Sequence, residues 1–172
     1  LALAREGVDV IINGRNGETL AAAKAALEAA TGRLVTGTVA DLNDKAARDT
    51  LIAGCGDIDI LVNNNGGPPP GQFQHWDEAA WEAAIGMNMI PALMLIRAFL
   101  PGMQARKFGR IVNITSAMVK TPKAPMGLST AARTGLTAAC KALVPVVAAD
   151  NVTINNMLTE RFDTDRQKMM AN

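Results

Sequence analysis

Five short β-branched runs separated by helix-length stretches restrict this chain most. The runs are Val8–Ile12, Leu34–Val39, Ile58–Val62, Arg110–Ile114 and Val152–Asn155. Between them, Glu18–Ala30 is Ala-rich with Leu20 and Leu27 seven apart, and Thr31-Gly32 ends it. Asn43 or Asp44 can cap a helix to about Ala53, and Asp77 one through Met87. Pro91–Met103 and Leu128–Ala149 are helical by composition. Near-continuous apolar strands alternating with helices predict a parallel sheet covered on both faces. Right-handed crossovers then give a Rossmann-like, doubly wound α/β layer. Leu1–Gly7 reads as the last turns of a helix ending at a Gly cap.

Composition narrows the function. Apolar residues make up 49% and charged ones 19%, which suits a packed core. The net charge is +1 with no charge block, which gives no reason to expect nucleic acid or an anionic membrane as partner. The apolar runs are expected to fall short of a membrane span. Cys55 and Cys140 lack metal-ligand spacing, so no metal site is expected. They read as small buried hydrophobes in a reduced, cytoplasmic protein. Gly66–Gly71, with three prolines, is expected to be a rigid extended loop. Pro145 should kink its helix.

In an open parallel sheet, ligands sit beyond the carboxyl ends of the strands. After the first strand comes Asn13-Gly-Arg-Asn16, with no acid to take ribose hydroxyls. Arg15 suits a 2′-phosphate, which favours NADP(H) over NAD(H); otherwise it is a solvated loop Arg. After the second strand, in Asp41-Leu42, a short carboxylate can accept from an adenine amino group. After the third, Asn63-Asn64-Asn65-Gly66 offers amides that tie strands or donate to a ribose, and Gly66 lets a ligand approach closely. Asn88 lies in an apolar helical stretch and needs partners there. It either holds a water of a proton relay at a kink or bonds to backbone. Ser116 follows the fourth strand, where its hydroxyl can stabilise charge on a carbonyl oxygen.

Taken together, Arg5–Ile11, Asp41-Leu42, Asp59–Gly66, Asn88, Gly109–Ser116, Gly135-Leu136 and Val152–Asn155 resemble the short-chain dehydrogenase/reductase family. Their order and spacing are similar to its 3-oxoacyl-acyl-carrier-protein reductase branch. The resemblance covers nearly all of residues 1–172 as one dinucleotide-binding domain. The family's first strand and Gly-rich turn, and its C-terminal end, are absent from this sequence, and a longer chain is expected. The resemblance implies a nicotinamide cofactor, a small carbonyl or alcohol substrate, and a homo-oligomer, tetramer or dimer. It also implies a catalytic tetrad of Asn, Ser, Tyr and Lys. Asn88 and Ser116 match. Ser129 stands at the Tyr position and Arg133 at the Lys position, and the chain contains no tyrosine. Asn65 replaces the family's Ala, and Thr159-Glu160 replaces Pro-Gly. Thr164 matches a position that contacts the nicotinamide carboxamide. By the same resemblance, Asp41, Leu42, Asn64, Asn65, Gly66 and Arg133 are cofactor-side positions.

A serine hydroxyl is a far weaker acid than a phenol, and arginine stays protonated at any working pH. A positioned acid contributes on the order of 10²–10⁴ in rate. His75, Lys120 and Lys123 are the substitutes within sequence reach, although such loop residues are usually just solvated. Two functions are compatible with these residues. One is an NADP-preferring oxidoreductase with an altered site. The other is an inactive paralogue that binds cofactor or serves as a regulatory or structural subunit.

Overall fold

A computed structural model describes residues 1–160, and the chain forms two compact units, Leu1–Gly56 and the residues from Asp57 on. Thr164 lies outside the described residues.

The first unit runs α1 (Ala2–Arg5), β1 (Val10–Gly14), α2 (Gly17–Thr31), β2 (Val35–Val39) and α3 (Lys45–Cys55). β1 and β2 are parallel, from Val10 opposite Val35 to Gly14 opposite Val39. Asn16 caps α2 by accepting from Thr19 N at 2.9 Å, and Gly32 ends it in the left-handed region at φ 67°. Asp44, rather than Asn43, caps α3 by accepting from Ala47 N at 2.7 Å. Glu28 accepts from Lys24 Nζ at 2.6 Å and from Val35 N at 2.9 Å, tying α2 to the start of β2. These bonds hold its carboxyl below the usual range.

The second unit contains β3 (Ile60–Asn63), α4 (Glu78–Asn88), α5 (Ile90–Ala105), β4 (Gly109–Ile114), α6 (Gly127–Val147) and β5 (Val152–Met157). Its sheet has the order β3-β4-β5, and all pairs are parallel. β4 is central, and Ile111 and Asn113 are completely buried. Leu95, Ile96, Phe99 and Met103 of α5 and Ala132, Leu136 and Cys140 of α6 supply much of the surrounding core. A methyl group on Gly109 would lie 2.7 Å from Met103 Cβ, so glycine is what admits that side chain against β4.

Only Met89 separates α4 from α5, and Pro91 falls in the first turn of α5, where its missing N–H is harmless. Two stretches, Glu78–Ala105 and Ala124–Asp150, are long and apolar enough by composition to cross a bilayer, with mean hydropathy 1.7 and 1.2. That corrects the expectation of shorter apolar runs. Both carry buried core faces: Leu95, Ile96, Phe99 and Met103 in the first, Leu136, Cys140 and Val147 in the second. Pro145 lies inside α6, which continues to Val147. Both cysteines are free thiols. Cys140 is buried as expected, whereas Cys55 is only half-buried.

Candidate functional site

The carboxyl ends of the strands in the second unit carry a row of asparagines. Asn63, Asn113 and Asn156 are register partners across β3, β4 and β5. Asn63 Nδ2 donates to Asn113 Oδ1 at 2.8 Å, and Asn113 Nδ2 donates to Asn156 Oδ1 at 3.0 Å. Asn113 Nδ2 also lies 3.2 Å from Cys140 Sγ on α6. Burial raises the Cys140 thiol, and this bond partly offsets the shift. The row fixes the strand ends side by side, and the chain just beyond them builds the site. The strand-tying amide is therefore Asn63, the last residue of β3. Asn64 is exposed and makes no side-chain hydrogen bond among the described residues.

From the second turn of α6, Arg133 reaches its own helix, the end of β4 and the segment that follows β3. Its Nε donates to Ser129 Oγ at 3.1 Å, its Nη1 to Ile114 O at 2.8 Å, and its Nη2 to Asn65 O at 3.4 Å. A planar guanidinium with five donors suits this fork, and a lysine ammonium could not reproduce its geometry. Asn65 uses its own amide to donate to Met87 O at 3.0 Å, joining the β3 exit to the last turn of α4. Asn65 thus anchors the segment whose carbonyl Arg133 grips.

Asn88 ends α4 and is 4% exposed. Its Nδ2 donates to Gly66 O, as an ordinary buried amide does. Its Oδ1 has no partner among the described residues. A buried acceptor left unmatched costs about 1–3 kcal/mol. A methyl group on Gly67 would lie 3.4 Å from Asn88 Oδ1, 3.5 Å from Arg133 Nη2 and 3.6 Å from Ser129 Oγ. An orphan acceptor, a guanidinium donor and a hydroxyl therefore converge on one point. The arrangement can hold a group that both donates and accepts, such as a hydroxyl. Gly66 is exposed with open space around it, so a ligand can reach this backbone.

Ser116 sits at the exit of β4, and its Oγ accepts from Met118 N at 3.2 Å, capping a short 3-10 turn at Ala117–Val119. Thr159 straddles it: Thr159 Oγ1 donates to Thr115 O at 3.2 Å, and Thr159 O accepts from Ala117 N at 2.8 Å. A proline here could not make the hydroxyl bond. His75, Lys120 and Lys123 are exposed and make no side-chain hydrogen bond or ion pair among the described residues. In the first unit, Arg15 is exposed between β1 and the α2 cap and is likewise without a side-chain partner. Asp41 Oδ1 accepts from Asn43 N at 2.9 Å, and Leu42 O accepts from Arg48 Nη1 at 2.6 Å. Asn113, Asn156 and Gly67 had no site role in the sequence. The available signal was an asparagine near the end of three separate β-branched runs.

Residues 1–172 match the family model described as short chain dehydrogenase. The chain belongs to the short-chain dehydrogenase/reductase family, and its α/β fold is the Rossmann-like fold of that family. It is 34% identical over 158 residues to the uncharacterized oxidoreductase YvrD of Bacillus subtilis, covering 90% of this chain and 59% of that protein. It is 29% identical to the 3-oxoacyl-acyl-carrier-protein reductase FabG of Vibrio harveyi, covering 91% and 59%. Among solved structures it is similar to the NADPH-bound short chain oxidoreductase from Pseudomonas aeruginosa PAO1 containing an atypical catalytic center. That similarity has TM-score 0.91 and 26% identity, over 99% of this chain and 68% of that one. The chain thus spans 59% of the length of each of these two curated relatives.

Proposed function

We propose that this protein is an NADP-preferring short-chain oxidoreductase with an atypical site, acting on a small carbonyl or hydroxyl compound. The observation that carries the reading is the convergence of Asn88 Oδ1, Arg133 Nη2 and Ser129 Oγ beside Gly67 at the exit of β3. The donor set fits the nicotinamide end of the cofactor, because a ribose hydroxyl can donate to Asn88 Oδ1 and accept from Arg133. Arg133, Asn64, Asn65 and Gly66 would hold that end, with Thr164 at the carboxamide. Arg15, Asp41 and Leu42 would bind the adenosine end, and the exposed Arg15 guanidinium supports a 2′-phosphate there. When bound, the cofactor supplies or takes a hydride. Ser116 would orient the substrate oxygen, and the Arg133 charge would favour negative charge building on it. The P. aeruginosa relative's atypical center supports pairing this fold with a non-standard tetrad.

The reading of residues 1–172 as a single dinucleotide-binding domain, of a homo-oligomer and of a cytoplasmic location belongs to the same proposal. A screen of ketones, aldehydes and alcohols with NADPH or NADP, followed by cofactor absorbance, tests it. Cofactor-dependent turnover of any of them is the expected result.

The second reading, an inactive paralogue, draws support from Ser129 itself. Its hydroxyl is buried and accepts from Arg133 in place of an exchangeable phenol. Cofactor binding without turnover across the screen would favour it.

A further inference from the structure

Three of the chain's six aromatic side chains form one cluster just ahead of the helix that carries Ser129. Phe73 and Trp76 meet edge-on with ring centroids 6.3 Å apart, Phe73 and Trp81 at 6.0 Å, and Trp76 and Trp81 at 5.7 Å. Two glycines admit Trp76. A methyl on Gly71 would lie 2.7 Å from its Nε1, and one on Gly127 would lie 2.6 Å from its Cζ3. Gly71 N also donates to Pro125 O at 2.9 Å, so the proline loop is tied to the entry of α6. Trp76 is therefore packed against Gly127, the first residue of α6, which precedes Ser129 by two positions. Phe73 nevertheless remains 71% exposed. Its edge contacts fix the ring's orientation while most of its surface stays open. Aromatic rings prefer such edge and offset contacts to further rings.

We propose that the Phe73–Trp76–Trp81 cluster is a preformed binding wall for a planar aromatic group of the substrate. The substrate class is then an aryl carbonyl or aryl alcohol. This inference deepens the reading of the Ser129 site as a reaction site and rests on it for the word substrate. The Gly71–Pro125 hydrogen bond and the packing of Trp76 on the two glycines hold the wall in place before a ligand arrives, so little ordering remains for binding. Contact with the Phe73 ring would favour a flat ring over a puckered one of equal carbon count.

The cluster contains both tryptophans of the chain, so tryptophan emission reports on this wall alone. The test titrates the protein with 1-phenylethanol and with 1-cyclohexylethanol and compares Phe73→Ala with the parent. The expected result is a saturable emission change that is tighter for the phenyl compound. Phe73→Ala should weaken that binding by roughly three- to tenfold, the value of one aromatic contact, and leave the cyclohexyl compound unaffected. Equal binding of the two alcohols, or no saturable change, overturns the wall. A Phe73→Ala effect that appears only as a lower oligomeric mass overturns it too, because a second copy would then cover the ring. Paired assays with acetophenone and cyclohexyl methyl ketone separate the two readings. Ring-selective binding without turnover upholds the wall and removes the oxidoreductase. Turnover without ring preference removes the wall alone.

Discussion

Arg133 Nε lies 3.1 Å from Ser129 Oγ, one helical turn away on the same face of α6. We propose that the pair stands where the family places its phenol and ammonium. Reinstating them as Ser129→Tyr with Arg133→Lys should raise NADPH-dependent carbonyl reduction by about 10²–10⁴. Steady-state kinetics on the same ketones checks this. An unchanged rate would show that the two positions do not address the substrate.

Asn113 is completely buried and donates to Asn156 while accepting from Asn63. Asn113→Ala leaves Asn63 Nδ2 without an acceptor and Asn156 Oδ1 without a donor. It should cost about 1–3 kcal/mol for each buried group left unpaired. The urea midpoint should fall at constant slope. Stability equal to the parent's would mean that water replaces the row.

Arg15 is the basic side chain offered for NADP selectivity. Charge-assisted hydrogen bonds contribute about 1.5–3 kcal/mol, so Arg15→Ala should lose about ten- to a hundredfold of NADPH affinity. NADH affinity should hardly move. Titration by cofactor fluorescence measures both, and equal parent affinities for the two cofactors would remove this role for Arg15.

Gly127→Ala drives a methyl to 2.6 Å from a Trp76 ring carbon. Overpacking of that kind costs about 1–3 kcal/mol. Thermal unfolding should occur earlier, with tryptophan emission shifted to the red as Trp76 is displaced. Gly67→Ala meets only ordinary contacts and should fold normally while crowding the ligand point beside Asn88.

Asp150 accepts from Lys107 and from Gln104, and these bonds depress its carboxyl pKa in the folded protein. A depressed carboxyl stabilises above its unfolded value and loses that contribution as pH falls through the folded one. The parent should therefore unfold at higher temperature than Asp150→Asn near neutral pH. The gap should close as pH drops below about 4. A gap that persists in acid would assign the effect to packing.

Local chemistry was the legible part of this fold. The caps at Asp44 and Asp77, the helix stop at Gly32 and the break beside Asn88 all depend on residues a few positions apart. The first strand was read as Val8–Ile12 but forms at Val10–Gly14. Its limits follow pairing with Val35–Val39, a partner that local composition does not reveal. The asparagine row was hidden for the same reason: three amides in three strands become neighbours only through register. The meeting of Ser129 and Arg133 follows from their four-residue spacing on one helix. The full set of Arg133 acceptors does not, because two of them are backbone carbonyls that no side-chain pattern marks.

α6 is fastened to β4 at two adjacent strand residues. Arg133 bonds Ile114 O, and Asn113 bonds Cys140 Sγ, seven residues further along the helix. Seven residues are about 10 Å of helix axis. A single fastening would leave a rod free to pivot about it. Two fastenings at that spacing remove sliding and rolling together, so α6 behaves as an indexed shaft with Ser129 at a set angular position. Losing either one should blur where Ser129 sits before it weakens the fold.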